Sequence, residues 1–313
     1  GVDGVRYSAS LGARCVVLPR ETTIDEIRVL KHAIPEIELE TFVHGALCFA
    51  FSGQCYYSAF IGGRSGNRGL CGQPCRKVYE HNGKKEHLFS CKDLCLIDDL
   101  KELEDAGISY LKIEGRAKDA TYTAKIVRSY REARDGVRIS ANLDYVFNRG
   151  YTKGLILHDP VTLNTAYISH KGVPVGTIGI LTDDTMDIIT TETIAAGDGL
   201  FFPAISTGCC VETTVKNKNG WRITPALPRV KTGDAVYKNR DALQDASVTI
   251  TSDESIPRKE RQYSLKKYEI KQKIIKPECD TIMWIMLDSV EKIDVALSRS
   301  EERRVGKECR SRW

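Results

Sequence analysis

Six of the 11 cysteines in this chain lie between Cys48 and Cys95. A chain that gathers so many thiols in one stretch must bridge them, bury them or use them as ligands. Six residues separate Cys48 from Cys55, fifteen separate Cys55 from Cys71, and three separate Cys71 from Cys75. Cys91 and Cys95 follow, again three residues apart. An odd total argues against a fully bridged scaffold and favours a reducing cytoplasm. Thiolates are soft ligands, and a set of four suits zinc or an iron–sulfur cluster. The two-residue knuckles that zinc favours are missing. The looser spacing, with Gly72 and Pro74 between two candidate ligands, leans toward a cluster held by Cys48, Cys55, Cys71 and Cys75. Cys91 and Cys95 read as structural, with Cys95 the first substitute. Cys15, Cys209, Cys210, Cys279 and Cys309 lack partner spacing and read as ordinary buried thiols.

The chain's 313 residues suffice for two domains, and 42% hydrophobic with 28% charged residues fits a soluble globular protein. No run of about 18 apolar residues is present, which predicts no membrane span. A net charge of +4 permits an acidic partner such as RNA. The opening Gly1-Val-Asp-Gly-Val has no signal-peptide pattern, and the chain is expected to begin inside a longer protein.

Arg14 to Leu18 reads as a buried strand. Thr23-Ile-Asp-Glu26 is a capping box opening a helix with Ile24, Ile27, Leu30 and Ala33 on one side. Ile37 to Val43 reads as a second strand, so the two are expected to run parallel. Asp93 is expected to cap a helix ending at Gly107, followed by a strand at Ile108 to Ile113 and a helix from Asp119 to Asp135. These units predict an α/β fold: the C-terminal part of a (β/α)8-type barrel over residues 1–136, with a Cys-rich insertion at 44–92. Short β runs at 173–180, 186–191, 211–215 and 235–237 predict a small β-rich barrel or sandwich over 137–254. A linker at 255–278, a further α/β segment at 279–300 and an unstructured tail at 301–313 complete the expectation.

In parallel α/β folds chemistry sits at the carboxyl ends of the strands. Arg20 and Glu21, His44, and Glu114 with Arg116 occupy such ends, and Glu40 lies on the second strand. Each has a plainer role open to it. Glu114 and Arg116 could be a rim ion pair, His44 could bond a carbonyl, and Glu40 could pair with a lysine. Arg64, Arg68, Arg76, Lys77, Lys84 and Lys85, interleaved with Tyr56, Tyr57 and Tyr79, read either as an RNA-gripping face or as a solvated loop.

The motifs Glu40-x-Phe42-x-His44-Gly45-Ala46-Leu47-Cys48, Gly53-x-Cys55-x-x-Ser58 and Arg68-Gly-x-Cys71-x-Gln73-Pro74-Cys75-Arg76 resemble the collagenase-like peptidase family U32. Lys92-Asp93-Leu94-Cys95 and Lys112-x-Glu114-Gly115-Arg116 extend the resemblance over residues 1–136. It implies a barrel whose first part lies outside this chain. The family is named for peptidases, and several members are linked to oxygen-independent hydroxylation of tRNA uridine, of a ribosomal RNA cytidine or of a ubiquinone precursor. By resemblance, Cys48, Cys55, Cys71 and Cys75 would hold a 4Fe-4S cluster, with a prephenate-type carboxylate as hydroxyl donor. The expectation is an RNA hydroxylase. His44, Glu114, Arg116 and Glu40 are its candidate catalytic groups, Arg20 or Arg116 would hold the donor, and Arg20, Arg64, Arg68, Arg76 and Lys77 are its candidate substrate-binding residues. A peptidase, or a non-catalytic cluster- or RNA-binding subunit, is the alternative. The sequence has no HExxH or GxSxG, and Cys48 with His44 is the one tempting nucleophile–base pair.

Overall fold

The computed structural model describes residues 1–115, 118–139 and 141–247. Arg116, Cys279, Cys309 and the segments expected at 255–278, 279–300 and 301–313 lie outside the described residues.

Two sheets organise the described chain. The first grows from β2 (Glu38–Ala46). Ahead of it come α1 (Val2–Ser10), β1 (Cys15–Val17) and α2 (Ile24–Ala33). The Thr23 hydroxyl accepts from the Glu26 amide, and the Glu26 carboxylate accepts from the Thr23 N–H at 2.8 Å, so the capping box forms as expected. Ile24, Ile27 and Leu30 recur at helical spacing and are buried against Leu39 and Val43 of β2. β1 runs parallel to β2 through Cys15–Glu38, Val16–Leu39 and Val17–Glu40.

The Cys-rich insertion leaves the end of β2. It contains α3 (Tyr57–Gly62) and a small hairpin of β3 (Tyr79–His81) and β4 (Lys84–Glu86). It returns through β5 (Asp93–Cys95), where a helix was expected. The helix starts later, as α4 (Leu100–Asp105). The reason is the pairing available: β5 lies antiparallel to β2, with His44 opposite Cys95 and Ala46 opposite Asp93. A local apolar period yields to that tertiary partner. β6 (Tyr110–Ile113) pairs parallel with the other edge of β2, and α5 (Ala120–Arg134) follows, capped by Asp119. β7 (Tyr151–Thr152) pairs parallel with β5. A salt bridge between Asp93 and Arg149, both nearly buried, fastens that return. The result is a curled half-barrel in a mixed α/β arrangement.

The second sheet is antiparallel throughout. It contains β8 (Val173–Leu181), β9 (Met186–Ile189), β10 (Gly199–Phe202) and β11 (Thr207–Cys210). β12 (Thr213–Asn217), β13 (Gly220–Thr224) and β14 (Ala235–Arg240) complete it, before α6 (Ala242–Ala246). The order is β11-β10-β14-β8-β9-β13-β12, one seven-stranded sheet. Its own core centres on Ile178, Met186, Ile188, Leu200, Phe202 and Ile223.

Candidate thiol centre and barrel rim

β2 aims alternate side chains to opposite faces. Leu39 and Val43 pack toward the helices, whereas Glu40 and Phe42 face the inside of the curl with the half-buried Arg20 and Lys112. Glu40 makes a close ion pair with Lys112. The Arg20 guanidinium lies 3.8 Å from the centroid of the Phe42 ring, and its Nη2 donates to Glu114 Oε2 at 2.9 Å. Glu114 therefore has a rim ion pair with Arg20.

Gly45 fixes the position of Glu114. Its φ is +105°, and a Cβ there would fall 2.3 Å from the Glu114 carbonyl oxygen. Only glycine permits that backbone conformation and that approach together.

His44 is enclosed. The imidazole is 1% exposed, with the rings of Tyr122, Tyr130 and Tyr151 at centroid distances of 6.3, 5.5 and 5.6 Å. The Tyr130 hydroxyl donates to the Val43 carbonyl at 2.7 Å and accepts from the Leu96 amide at 3.2 Å. It also lies 3.3 Å from His44 Nδ1, where donor and acceptor depend on the imidazole tautomer. Among the described residues, the buried Nε2 has no hydrogen-bond partner. Burial pushes the imidazole pKa down to about 4, so His44 is neutral at pH 7. Among the described residues no cysteine is hydrogen-bonded to either ring nitrogen, and Cys48 and His44 do not pair.

The insertion is tied to the rim and to itself. Glu21 accepts from the Ser52 amide and hydroxyl, each at 2.9 Å. Ser58 Oγ accepts from the Gly72 amide at 2.8 Å, and Asn67 Nδ2 donates to the Gly53 carbonyl at 2.7 Å. Arg76, expected to face RNA, is instead buried. Its guanidinium donates to Ser90 Oγ at 2.8 Å, to the Cys91 carbonyl, and to the Leu47 carbonyl at 3.3 Å. A side chain so engaged holds the loop rather than a ligand. Arg64, Arg68, Lys77, Lys84 and Lys85 are exposed, and Phe51, Tyr56 and Phe60 on the same insertion are 68%, 59% and 87% exposed.

Cys48, Cys55, Cys71 and Cys75 gather within this frame. Cys48 and Cys71 are exposed, Cys55 and Cys75 are half-buried, and all four are free thiols. Burial raises the Cys75 pKa, Arg76 opposes that, and the charges of Cys48, Cys71 and Cys55 each raise it further. Three thiols thus lie within electrostatic reach of the fourth. A Cβ on Gly66 would meet Cys71 Cβ at 3.7 Å and the Cys55 carbonyl at 4.0 Å, which places those two residues around one glycine. The Gln73 amide donates to Cys71 Sγ at 3.3 Å, the kind of N–H···S contact that tunes cluster thiolates. Among the described residues, no group of three or more His, Cys, Asp or Glu closes to the distances one metal ion needs.

Cys95, the expected reserve ligand, faces elsewhere. Its thiol is raised chiefly by burial and bonds with Tyr130, beside His44 rather than beside the four cysteines. Cys91 is nearer the group. Burial pushes its thiol up to about 11, and the charges of Cys75 and Cys48 act on it. Cys91 and Cys48 line one cavity of about 180 Å³ with Arg20, Glu21, Leu47 and Phe49. The proximity of Cys91 was hidden in the sequence because a hairpin separates it from the other thiols.

The family model for peptidase family U32 matches residues 1–165. A protein of Escherichia coli (strain K12) named 23S rRNA 5-hydroxycytidine C2501 synthase is 32% identical over 287 residues, covering 81% of this chain and 44% of that protein. A tRNA hydroxylation protein P of Helicobacter pylori (strain J99 / ATCC 700824) is 38% identical over 175 residues, covering 48% of this chain and 42% of its own. A protein of Porphyromonas gingivalis (strain ATCC BAA-308 / W83) named Collagenase is 34% identical over 175 residues, 46% of this chain and 42% of its own. The chain thus spans less than half the length of each of these relatives. No solved structure matches. Among the described residues no helix is long and apolar enough to cross a membrane.

Proposed function

The chain belongs to peptidase family U32, and on that footing we propose that it is the cluster-bearing part of an enzyme that hydroxylates RNA without oxygen. The observation that carries this reading is the convergence of Cys48, Cys55 and Cys71 on Cys75, at a rim that also presents Arg20 and Glu114. Two of the relatives are named for hydroxylation of ribosomal and transfer RNA. Cys48, Cys55, Cys71 and Cys75 would hold a 4Fe-4S cluster, which when bound supplies one-electron chemistry. The curled sheet is read as the closing part of a (β/α)8 barrel, with the thiols at its carboxyl rim.

Arg20 is the group best placed to hold a carboxylate donor of the prephenate kind. It lines the 180 Å³ cavity beside Cys48, and its guanidinium is shared with Glu114. Glu114 is the better proton carrier of the two named candidates, because His44 is sealed among three tyrosines. Exposed Arg64, Arg68, Lys77, Lys84 and Lys85, with Phe51, Tyr56 and Phe60, offer phosphate contacts and stacking faces to single-stranded RNA in the cytoplasm.

A peptidase is the second reading, favoured by the relative named Collagenase. A thiol peptidase needs a histidine at its nucleophile, and His44 meets Tyr130 instead.

The test is anaerobic purification with iron and sulfide counting, then mass analysis of RNA nucleosides from cells carrying Cys71→Ala. Iron bound by the wild type and lost in the variant, with loss of one hydroxylated nucleoside, is the expected result. A colourless protein with intact thiols, or an unchanged nucleoside profile, would sink the reading.

A further inference from the structure

A second cavity, of about 620 Å³, opens at the start of α5. It shares no lining residue with the cavity beside Cys48. Lys118, Tyr122, Tyr145, Phe147, His170 and Asn239 form much of its wall. Its size falls within the range of about 300–1,000 Å³ typical of small-molecule sites.

The charge in this wall is unbalanced. Lys125 and Arg240 share one carboxylate, Asp245, with Arg240 Nε at 2.6 Å from Oδ2. Asp119 caps α5 by accepting from the Tyr122 amide at 2.7 Å. That leaves Lys118, which makes no ion pair with a carboxylate among the described residues. Its ammonium instead lies 3.0 Å from the centroid of the Phe147 ring. Burial, then the like charge of Arg149, pushes its pKa down to about 8, although Asp93 and Asp119 partly offset this. A half-buried cation with a ring beneath it and like charge behind it is a place where an anion gains. The first turn of a fifteen-residue helix adds a dipole of the same sign.

Aromatic side chains stand among the polar ones in the rest of the wall. Tyr122, Tyr145 and Phe147 supply three rings. His170 stands 5.8 Å from Phe147, centroid to centroid, with its ring beside the Asn148 and Asn239 backbone. Its Nδ1 faces the Asn148 backbone at 3.1–3.2 Å, so Nε2 can donate or accept according to the tautomer. An anionic group combined with a planar, hydrogen-bonding ring is the chemistry of a nucleotide. Enzymes that act on a base in RNA take it out of the stack into such a pocket. Tyr122 belongs both to this wall and to the cage around His44, so the cavity adjoins the strand that carries the rim.

We propose that this cavity is a nucleotide site, in which Lys118 holds a phosphate and the rings of Tyr122, Tyr145 and Phe147 flank one unstacked base of the RNA. The proposal rests on the RNA reading above and adds to it where the base is received.

The experiment uses the whole chain and three probes: the four nucleoside 5′-monophosphates, a single-stranded oligoribonucleotide, and phenylpyruvate as a ring-bearing carboxylate without a base. Ligand-observed NMR reads the small probes and fluorescence anisotropy reads the RNA. Lys118→Met is expected to weaken mononucleotide binding by about tenfold, the worth of one lost charge-assisted contact, while Lys118→Arg retains it. Thermal melts check that both variants fold, and if Lys118→Met does not, the comparison passes to Phe147→Leu. Ultraviolet crosslinks from bound RNA are expected on Tyr122, Tyr145 or Phe147. Mononucleotides that do not bind, that bind equally to folded Lys118→Met, or that yield to phenylpyruvate while RNA does not compete would each overturn the site. A hydroxylated nucleoside that persists in Lys118→Met cells but vanishes with Cys71→Ala would remove this proposal and leave the RNA reading standing. Nucleotide binding lost in Lys118→Met by a protein whose deletion changes no nucleoside would do the reverse.

Discussion

At the scale of single residues, His44 and Arg76 show how burial redirects chemistry that a sequence displays. His44 stands in a motif that invites a catalytic role, yet its pKa of about 4 against an ordinary 6.5 makes it a neutral core group. The unfolded chain binds a proton between those two values that the folded chain refuses. The neutral form therefore contributes its full stability above pH 6.5, and this is lost as pH falls toward 4. The whole effect is on the order of 3 kcal/mol. Denaturant unfolding followed from pH 7 to 4 should show that loss in the wild type and a shallower slope in His44→Phe; parallel slopes would mean His44 is solvated. Arg76 was legible as a basic residue in a basic loop and not as a buried one. Its partners are the carbonyls of Leu47 and Cys91, and backbone acceptors leave no mark in sequence.

At the scale of elements, local signals were read well and long-range pairing was not. The capping box at Thr23, the period of α2 and the helix expected from Asp119 all formed, because each depends on neighbours within a few residues. The expected helix after Asp93 became β5, because His44 to Ala46 offered it a free strand edge. That pairing carries Asp93 to Arg149, where two guanidinium donations and the Arg149 amide meet one carboxylate. Removing one partner strands the other charge in the interior. Asp93→Ala is expected to lower stability by about 3–5 kcal/mol, measured by urea unfolding, and Asp93→Ala with Arg149→Met should recover part of it. A loss below about 1 kcal/mol, as for an exposed pair, would show that the contact is solvated.

At the scale of the molecule, the half-barrel brings together groups far apart in sequence: Arg20 with Glu114, Glu21 with Ser52, Leu47 with Cys91 by way of Arg76. The alternation of types predicted an α/β sheet with chemistry at its carboxyl rim, and Arg20 and Glu114 meet there. The wall around Lys118 could not be foreseen, since it takes Tyr145, Phe147 and His170 from a stretch without regular periodicity and Asn239 from a strand of the second sheet.

The Arg76 guanidinium has a consequence in polymer terms. Without it, the chain from Leu47 to Cys91 is a long tether pinned at its ends, and gathering four sulfurs from such a tether costs configurational entropy that rises with the logarithm of its length. By gripping Leu47, Ser90 and Cys91 at once, Arg76 closes that tether ahead of the iron binding proposed above. Arg76→Met should therefore weaken iron uptake and quicken proteolysis between Arg64 and Lys85 although it touches no sulfur. Equal iron affinity in the two proteins, titrated anaerobically, would show that the loop closes without it.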